Sequence, residues 1–489
     1  MAFKVTLINP ALVHLTGDPY SSIPFMPTGL LYLAGYLEKK EIPVSILDGF
    51  GLAPRRLFRI DDQLSGFGLT ETEIVERLDD APLIGIGVHS GMSHEYVLRL
   101  ARAIKDNYPD TILIAGGNHV SVVPQRFIEG GFDYVCIGEG EYPLEALARC
   151  LRDGTGDPRA IPGLAGPDFA APPAPFEEDL DRFGFAALHL LPLENYWGLG
   201  MQHAPVQGRF MVLTTSRGCI YNCRFCTTPK VWGRQWRTRS AAHVADEIEH
   251  AQECHGITDV IIQDELFGCR REQAAAFAEE LLRRDIQVRL STPSGVKVET
   301  MDEETIALLH RVGLRYLVFA PESGSPRVLK NMNKPMDFDK LRRLVMFSQK
   351  LGIRLNCVFV LGFEDENDED RRLTRNLALE LTRLGVDEIS LFIWSPLPGS
   401  DAFESETGWK RYEELNWTPR WRGNYRVLMG FRNRLYCAWA MTKLRYQFFG
   451  CLRSAVNILR GRYELKMEMA AGRMLRSWFR SSRRAPDTR

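Results

Sequence analysis

The chain has 489 residues, of which 45% are hydrophobic and 25% charged, with a net charge of −1. This is ordinary for a globular protein and too long for one core, so two or three domains are expected. No run of about 18 uncharged apolar residues occurs, which excludes a membrane-spanning helix. Met1–Pro10 reads as a short hydrophobic strand without the basic start and long apolar run of a secretory signal. The expected location is therefore the cytoplasm, where the 10 cysteines stay reduced and no disulfide framework is expected.

Residues 1–155 alternate short β-rich runs with helical patterns. Strands are predicted at Lys4–Ile8, Val44–Leu47, Leu83–Val88, Thr111–Ala115 and Tyr134–Ile137, with helices including Gly29–Lys39, His94–Asn107 and Pro143–Arg152. That rhythm predicts an α/β domain with a doubly wound parallel sheet, whose ligands bind beyond the C-terminal strand ends. Glycines stand at those ends: Gly49, Gly87, Gly116, Gly117, Gly138 and Gly140. The prolines of residues 156–208 (Pro158, Pro162, Pro167, Pro172, Pro173, Pro175) mark a linker without long regular structure. A second series then gives strands at Met211–Ser216, Asp259–Gln263, Val288–Ser291, Tyr316–Ala320, Arg354–Leu361 and Glu388–Trp394. Helices follow nearly every one, which predicts a partial (β/α)6 barrel over 209–402. Residues 403–489 read as a basic helical region. From Phe431 onward there are 14 Lys or Arg against 3 acids, interleaved with aromatic and aliphatic residues that include Trp478 and Phe479.

Seven cysteines are scattered and read as small buried hydrophobes. The other three, Cys219, Cys223 and Cys226, form a CxxxCxxC pattern directly after the first strand of the second series. Three thiolates on one tight loop can ligate three irons of a cubane, leaving the fourth iron open to the amino and carboxylate groups of a substrate. Zinc competes for such residues, but structural zinc sites need four closed ligands and prefer shorter CxxC pairs.

This loop, with Phe225 just before the last cysteine, resembles the radical S-adenosylmethionine (SAM) superfamily. The resemblance implies a [4Fe–4S] cluster that cleaves SAM reductively and produces a radical able to take an unactivated hydrogen. Trp236-Arg237-Thr238-Arg239-Ser240, followed by an acidic helix, resembles the cobalamin-binding branch. In that branch the acids after the second strand, here Asp264 and Glu265, contact the methionyl ammonium; the usual pair is two aspartates. Glu322 and Ser323 resemble its ESGS motif, which serves a ribose or ammonium group, although Ala320-Pro321 replaces the usual Gly-Ile. Gly362 falls where the family brings backbone near the adenine.

The first domain resembles the same branch's cobalamin-binding domain through Pro27-Thr28-Gly29-Leu30, Asp48, Gly116-Gly117-Asn118-His119 and Gly138-Glu139-Gly140-Glu141. The resemblance spans roughly residues 1–400. No DxHxxG motif is present and His119 is a poor substitute, so the implied cobalt lacks a histidine on its lower face.

The resemblance implies a cobalamin-dependent radical methylase acting on an unactivated carbon of a small molecule, such as a lipid, terpenoid or tetrapyrrole. Electrons would come from a flavodoxin- or ferredoxin-type donor. The alternatives are an oxidative cyclase or carbon–carbon bond-forming enzyme without methyl transfer, and a corrinoid or iron–sulfur sensor without turnover. The basic tail fits an amphipathic cap, either purely structural or touching anionic lipid at the inner face of a membrane, better than a nucleic-acid surface.

Overall fold

A computed structural model describes residues 3–18, 23–79, 81–200, 202–405, 407–472 and 475. Trp478 and Phe479, part of the basic-aromatic reading of the tail, lie outside the described residues.

The N-terminal βα rhythm builds a seven-stranded sheet. Its parallel core runs Val44–Asp48, Val5–Asn9, Leu83–Gly87, Ile112–Gly116 and Tyr134–Cys136 in spatial order. Strand order therefore reverses between Val5–Asn9 and Leu83–Gly87, which opens a crevice at their C-terminal ends. The segment 156–208, read as a linker, does more than connect. Leu164–Gly166 and Phe169–Ala170 add two antiparallel strands to the sheet edge, so the sheet continues past residue 155. A small antiparallel sheet of Leu12–Leu15, Leu57–Arg59 and Leu64–Phe67 has no counterpart among the predicted elements; its strands are too short to show an alternating pattern.

The second series forms six parallel strands paired in chain order: Phe210–Leu213, Asp259–Ile262, Arg289–Val296, Leu314–Glu322, Arg354–Leu361 and Glu388–Ile393. Side-chain caps start the connecting helices. Ser240 caps Ala241–His255, Asp302 caps Glu303–Arg311, Asp337 caps Phe338–Lys350, and Asn367 closes a capping box on Asp368–Arg383. The outer strand faces and these helices share the largest apolar core.

The C-terminal region contributes the helices Tyr425–Tyr446 and Phe448–Arg460. It then returns to the barrel, where Leu465 packs on Tyr316 and Val318. The backbone N–H groups of Lys466 and Met467 donate to Glu388 at 3.3 and 2.9 Å, and the Tyr316 hydroxyl donates to the same carboxylate at 2.5 Å. Glu388 is buried, so each donor offsets its desolvation. Tyr316→Phe is expected to cost about 1–3 kcal/mol, read as a lower urea midpoint for loss of barrel structure.

Candidate functional site

The cysteine loop is carried by a two-stranded hairpin, Ser216–Gly218 paired with Trp236–Thr238. Gly218 turns the chain into the loop at φ +85, where a Cβ would lie 2.3 Å from the Gln235 carbonyl oxygen. The loop is fastened from the far side of the barrel. The Arg224 N–H donates to the Met332 carbonyl at 3.0 Å, its side chain pairs with Glu364 at 2.7 Å, and Asn333 donates to the Asn222 carbonyl at 2.7 Å. Cys219, Cys223 and Cys226 are all free thiols of intermediate exposure. Burial pushes the Cys219 thiol up to about 11 and raises that of Cys223, which the positive charge of Lys334 counteracts. Three reduced sulfurs on one half-open loop, with a cation beside them, fit a cluster that leaves one iron without a protein ligand.

Two arginines of the hairpin bind it to the first domain. Arg217 donates to Glu139 at 2.9 Å and to Glu141 at 2.6 Å, while Arg237 donates to both oxygens of Glu139 at 3.0 Å. Both acids and Arg237 are buried. A second junction lies beside the first: Arg239 pairs with Glu247 at 2.5 Å, the Tyr32 hydroxyl donates to Glu247 at 3.2 Å, and Tyr32 accepts from the Thr214 N–H at 3.1 Å. Thr28 reaches Gln263 at 2.8 Å.

Between the two domains lies a largely apolar cavity of about 340 Å³. The first sheet's strand ends form one wall, with Pro27, Gly29, Gly116, Gly117, Gly138, Glu139 and Gly140. Thr214, Arg217, Trp232, Gln263 and Glu265 form the barrel wall. A Cβ on Gly29 would meet nothing within 4 Å, and Cβ atoms on Gly116, Gly138 and Gly140 would meet only ordinary contacts at 3.7 Å or beyond. Part of the floor is thus bare backbone, which fits a flat macrocycle such as a corrin.

The remaining site residues divide into those that face open chemistry and those that hold the frame. Glu265 lines the cavity, and burial, with help from Asp264, pushes its carboxyl up to about 7. Glu322 holds a left-handed φ of +60 and pairs with Lys334 at 2.5 Å; Lys334 in turn lies 6.0 Å from the Phe225 ring. Phe225 also meets Phe363 edge-on at 6.3 Å.

Four of the expected site residues are engaged within the protein. Asp264 does not face the cavity: it accepts from the Thr215 N–H at 2.7 Å and from the Thr215 and Ser216 hydroxyls at 2.6 Å, tying two strand ends together. Ser323 is fully buried against Thr374 at 3.0 Å. Asp48 is buried and takes donors from Asn9 at 2.7 Å, Gly51 at 2.8 Å and Tyr196 at 2.8 Å. Gly362 has its N–H on Glu366 at 2.7 Å and its carbonyl on Arg422 at 2.9 Å, so both its backbone groups are engaged within the protein.

Arg217 and Lys334 do not stand out as site residues in the sequence. Arg217 immediately precedes the Gly-Cys step of the motif, and that position is its one signal. Cys269, counted among the scattered thiols, is buried yet close enough to Cys219 for their charges to interact. Glu139→Ala would strip a buried carboxylate from two guanidinium groups, a loss of about 3–5 kcal/mol. Amide hydrogen exchange over residues 216–238 is expected to rise roughly 100-fold or more, with the helix Asp368–Arg383 unchanged.

Known proteins agree with this architecture. The Radical SAM superfamily signature matches residues 213–378, and the B12 binding domain signature matches residues 24–148. A cytidylyl-2-hydroxyethylphosphonate methyltransferase from Streptomyces wedmorensis is 29% identical over 442 residues, covering 81% of this chain and 80% of the relative. An anaerobic magnesium-protoporphyrin IX monomethyl ester cyclase from Rubrivivax gelatinosus is 28% identical over 391 residues, 74% of this chain and 68% of the relative. The radical SAM methyltransferase TsrM from Kitasatospora setae shares the fold at a TM-score of 0.66 and 22% identity, over 82% of this chain and 75% of that one. The chain thus joins a B12 binding domain to a Radical SAM superfamily domain that carries the cysteine loop, with a cavity between the two.

Proposed function

We propose that the chain is a cobalamin-dependent radical SAM methylase that places a methyl group on an unactivated carbon. One observation carries the reading: the hairpin that holds the cluster cysteines is clamped by Glu139 and Glu141 to the strand ends that floor the cavity. When bound, the cluster and SAM supply a hydrogen-abstracting radical and cobalamin supplies the methyl group. The residues do the positioning. Cys219, Cys223 and Cys226 hold the cluster. Glu265, at the barrel wall, accepts from the methionyl ammonium of SAM, and the Glu322–Lys334 pair stands beside Cys223. The substrate enters the apolar cavity between the two walls, which excludes water from the radical step. A flavodoxin- or ferredoxin-type protein delivers the electron in the cytoplasm.

The named relatives include a methyltransferase of a nucleotide-linked phosphonate, a hopanoid C-3 methylase from Methylococcus capsulatus and a magnesium-protoporphyrin ester cyclase. Of these chemistries the apolar cavity favours a lipid, terpenoid or tetrapyrrole substrate. Product mass distinguishes the routes: gain of one methylene marks methylation, and loss of hydrogens marks cyclisation. Cys223→Ala is expected to abolish 5′-deoxyadenosine formation under strong reductant. Formation at the wild-type rate would contradict the cluster assignment.

The helix Phe448–Arg460 supports delivery from a lipid surface. None of its residues is buried, Phe449 and Leu459 are more than four-fifths exposed, and Arg453 and Arg460 flank them. No helix among the described residues is long and apolar enough to cross a membrane, so contact would be peripheral, through this face and anionic headgroups. Vesicles containing phosphatidylglycerol are expected to sediment the protein, whereas neutral phosphatidylcholine vesicles leave it in solution. Phe449→Glu with Leu459→Glu should weaken that binding roughly tenfold or more, since each apolar side chain contributes about 1.5–3 kcal/mol when buried.

A further inference from the structure

The cavity between the domains holds an imidazole without a hydrogen-bond partner. His89 follows the strand Leu83–Gly87 and so stands at the crevice where the order of the first sheet reverses. Its ring meets Phe25 edge-on, with centroids 5.2 Å apart. The residue is solvent-accessible, and it lines the cavity. Among the described residues neither ring nitrogen has a hydrogen-bond partner. Other histidines of this domain are committed elsewhere: His94 Nδ1 lies 3.1 Å from His119 Nε2, and both rings pack on Phe127 and Tyr412. His119 does not line the cavity.

An imidazole whose ring nitrogens have no hydrogen-bond partner can offer a lone pair to a transition metal when neutral. His89 shares its wall of the cavity with Gly116, Gly117, Gly138 and Gly140. His203 stands close enough for the two rings' charges to interact, and its buried Nδ1 has no hydrogen-bond partner.

We propose that His89 is a ligand to the cobalt of a corrinoid bound in this cavity, on the face turned toward the first sheet. The proposal rests on the cobalamin reading above and reverses one expectation attached to it. Lack of a DxHxxG motif removes a histidine from one loop only, and here a different strand end supplies the imidazole.

The test loads the full-length protein without oxygen with cobinamide, a corrinoid that lacks the nucleotide base, and reduces it to cobalt(II). Any nitrogen on the axial position must then come from the protein. The electron paramagnetic resonance spectrum is expected to show each high-field cobalt line split in three by one ¹⁴N nucleus. Protein grown on ¹⁵N-histidine should show a twofold splitting instead. His89→Ala and His89→Gln should each retain corrinoid and lose the splitting. A wild-type spectrum without nitrogen splitting, with corrinoid bound one to one, overturns the proposal and leaves the cobalamin reading intact. Splitting that survives in a corrinoid-loaded His89 variant also overturns it. Failure to retain any corrinoid after gel filtration overturns both.

Discussion

Glu139 sits between two guanidinium groups, Arg217 at 2.9 Å and Arg237 at 3.0 Å, in a place from which solvent is nearly absent. The two arginines are register partners on the hairpin that carries the cluster cysteines, and the acid belongs to the loop after the last parallel strand of the first sheet. Taking these charges out of water is expensive, and the geometry offsets that cost only if both domains are correctly docked. The interaction thus adds less to net stability than to specificity. It selects one relative position for two domains, and that position defines the cavity.

The rest of the site follows from this docking. Because the hairpin is fixed, Asp264 can spend both oxygens on Thr215 and Ser216. Its chain neighbour Glu265 is then free to face the cavity. One acid of the pair thus secures the frame and the other lines the cavity. Ser323 and Asp48 also hold the frame, while Glu322 and Lys334 stay beside the cysteines.

Much of this was legible in the sequence. The strand Arg354–Leu361 and the helix His94–Asn107 occur with the predicted bounds, because long apolar periodicity and sharp turns define them. The cluster loop was legible because three cysteines within eight residues rarely serve any purpose but ligation. The hairpin under it was not, since strands of three residues carry no period. The acids of the second strand were legible as a pair, but composition alone cannot say which one turns inward. The return of the tail to the barrel was hidden for another reason. Lys466 reads as a surface charge, yet its stem and neighbours pack on Tyr316, Val318 and Glu388. His89 sits in a strand-end loop with no surrounding motif, and only the fold brings it to the crevice.

The central claim is that the barrel's cysteine loop holds a cluster while the cavity beside it takes a corrinoid on the wall of the first domain. It is tested most directly by quantifying iron, sulfide and corrinoid in one sample, purified without oxygen from cells supplied with cobalamin. The account predicts about four irons and four sulfides with one corrinoid per chain. Iron and sulfide without corrinoid, even after reconstitution, would contradict it and would leave a radical enzyme whose first domain serves only to hold the hairpin.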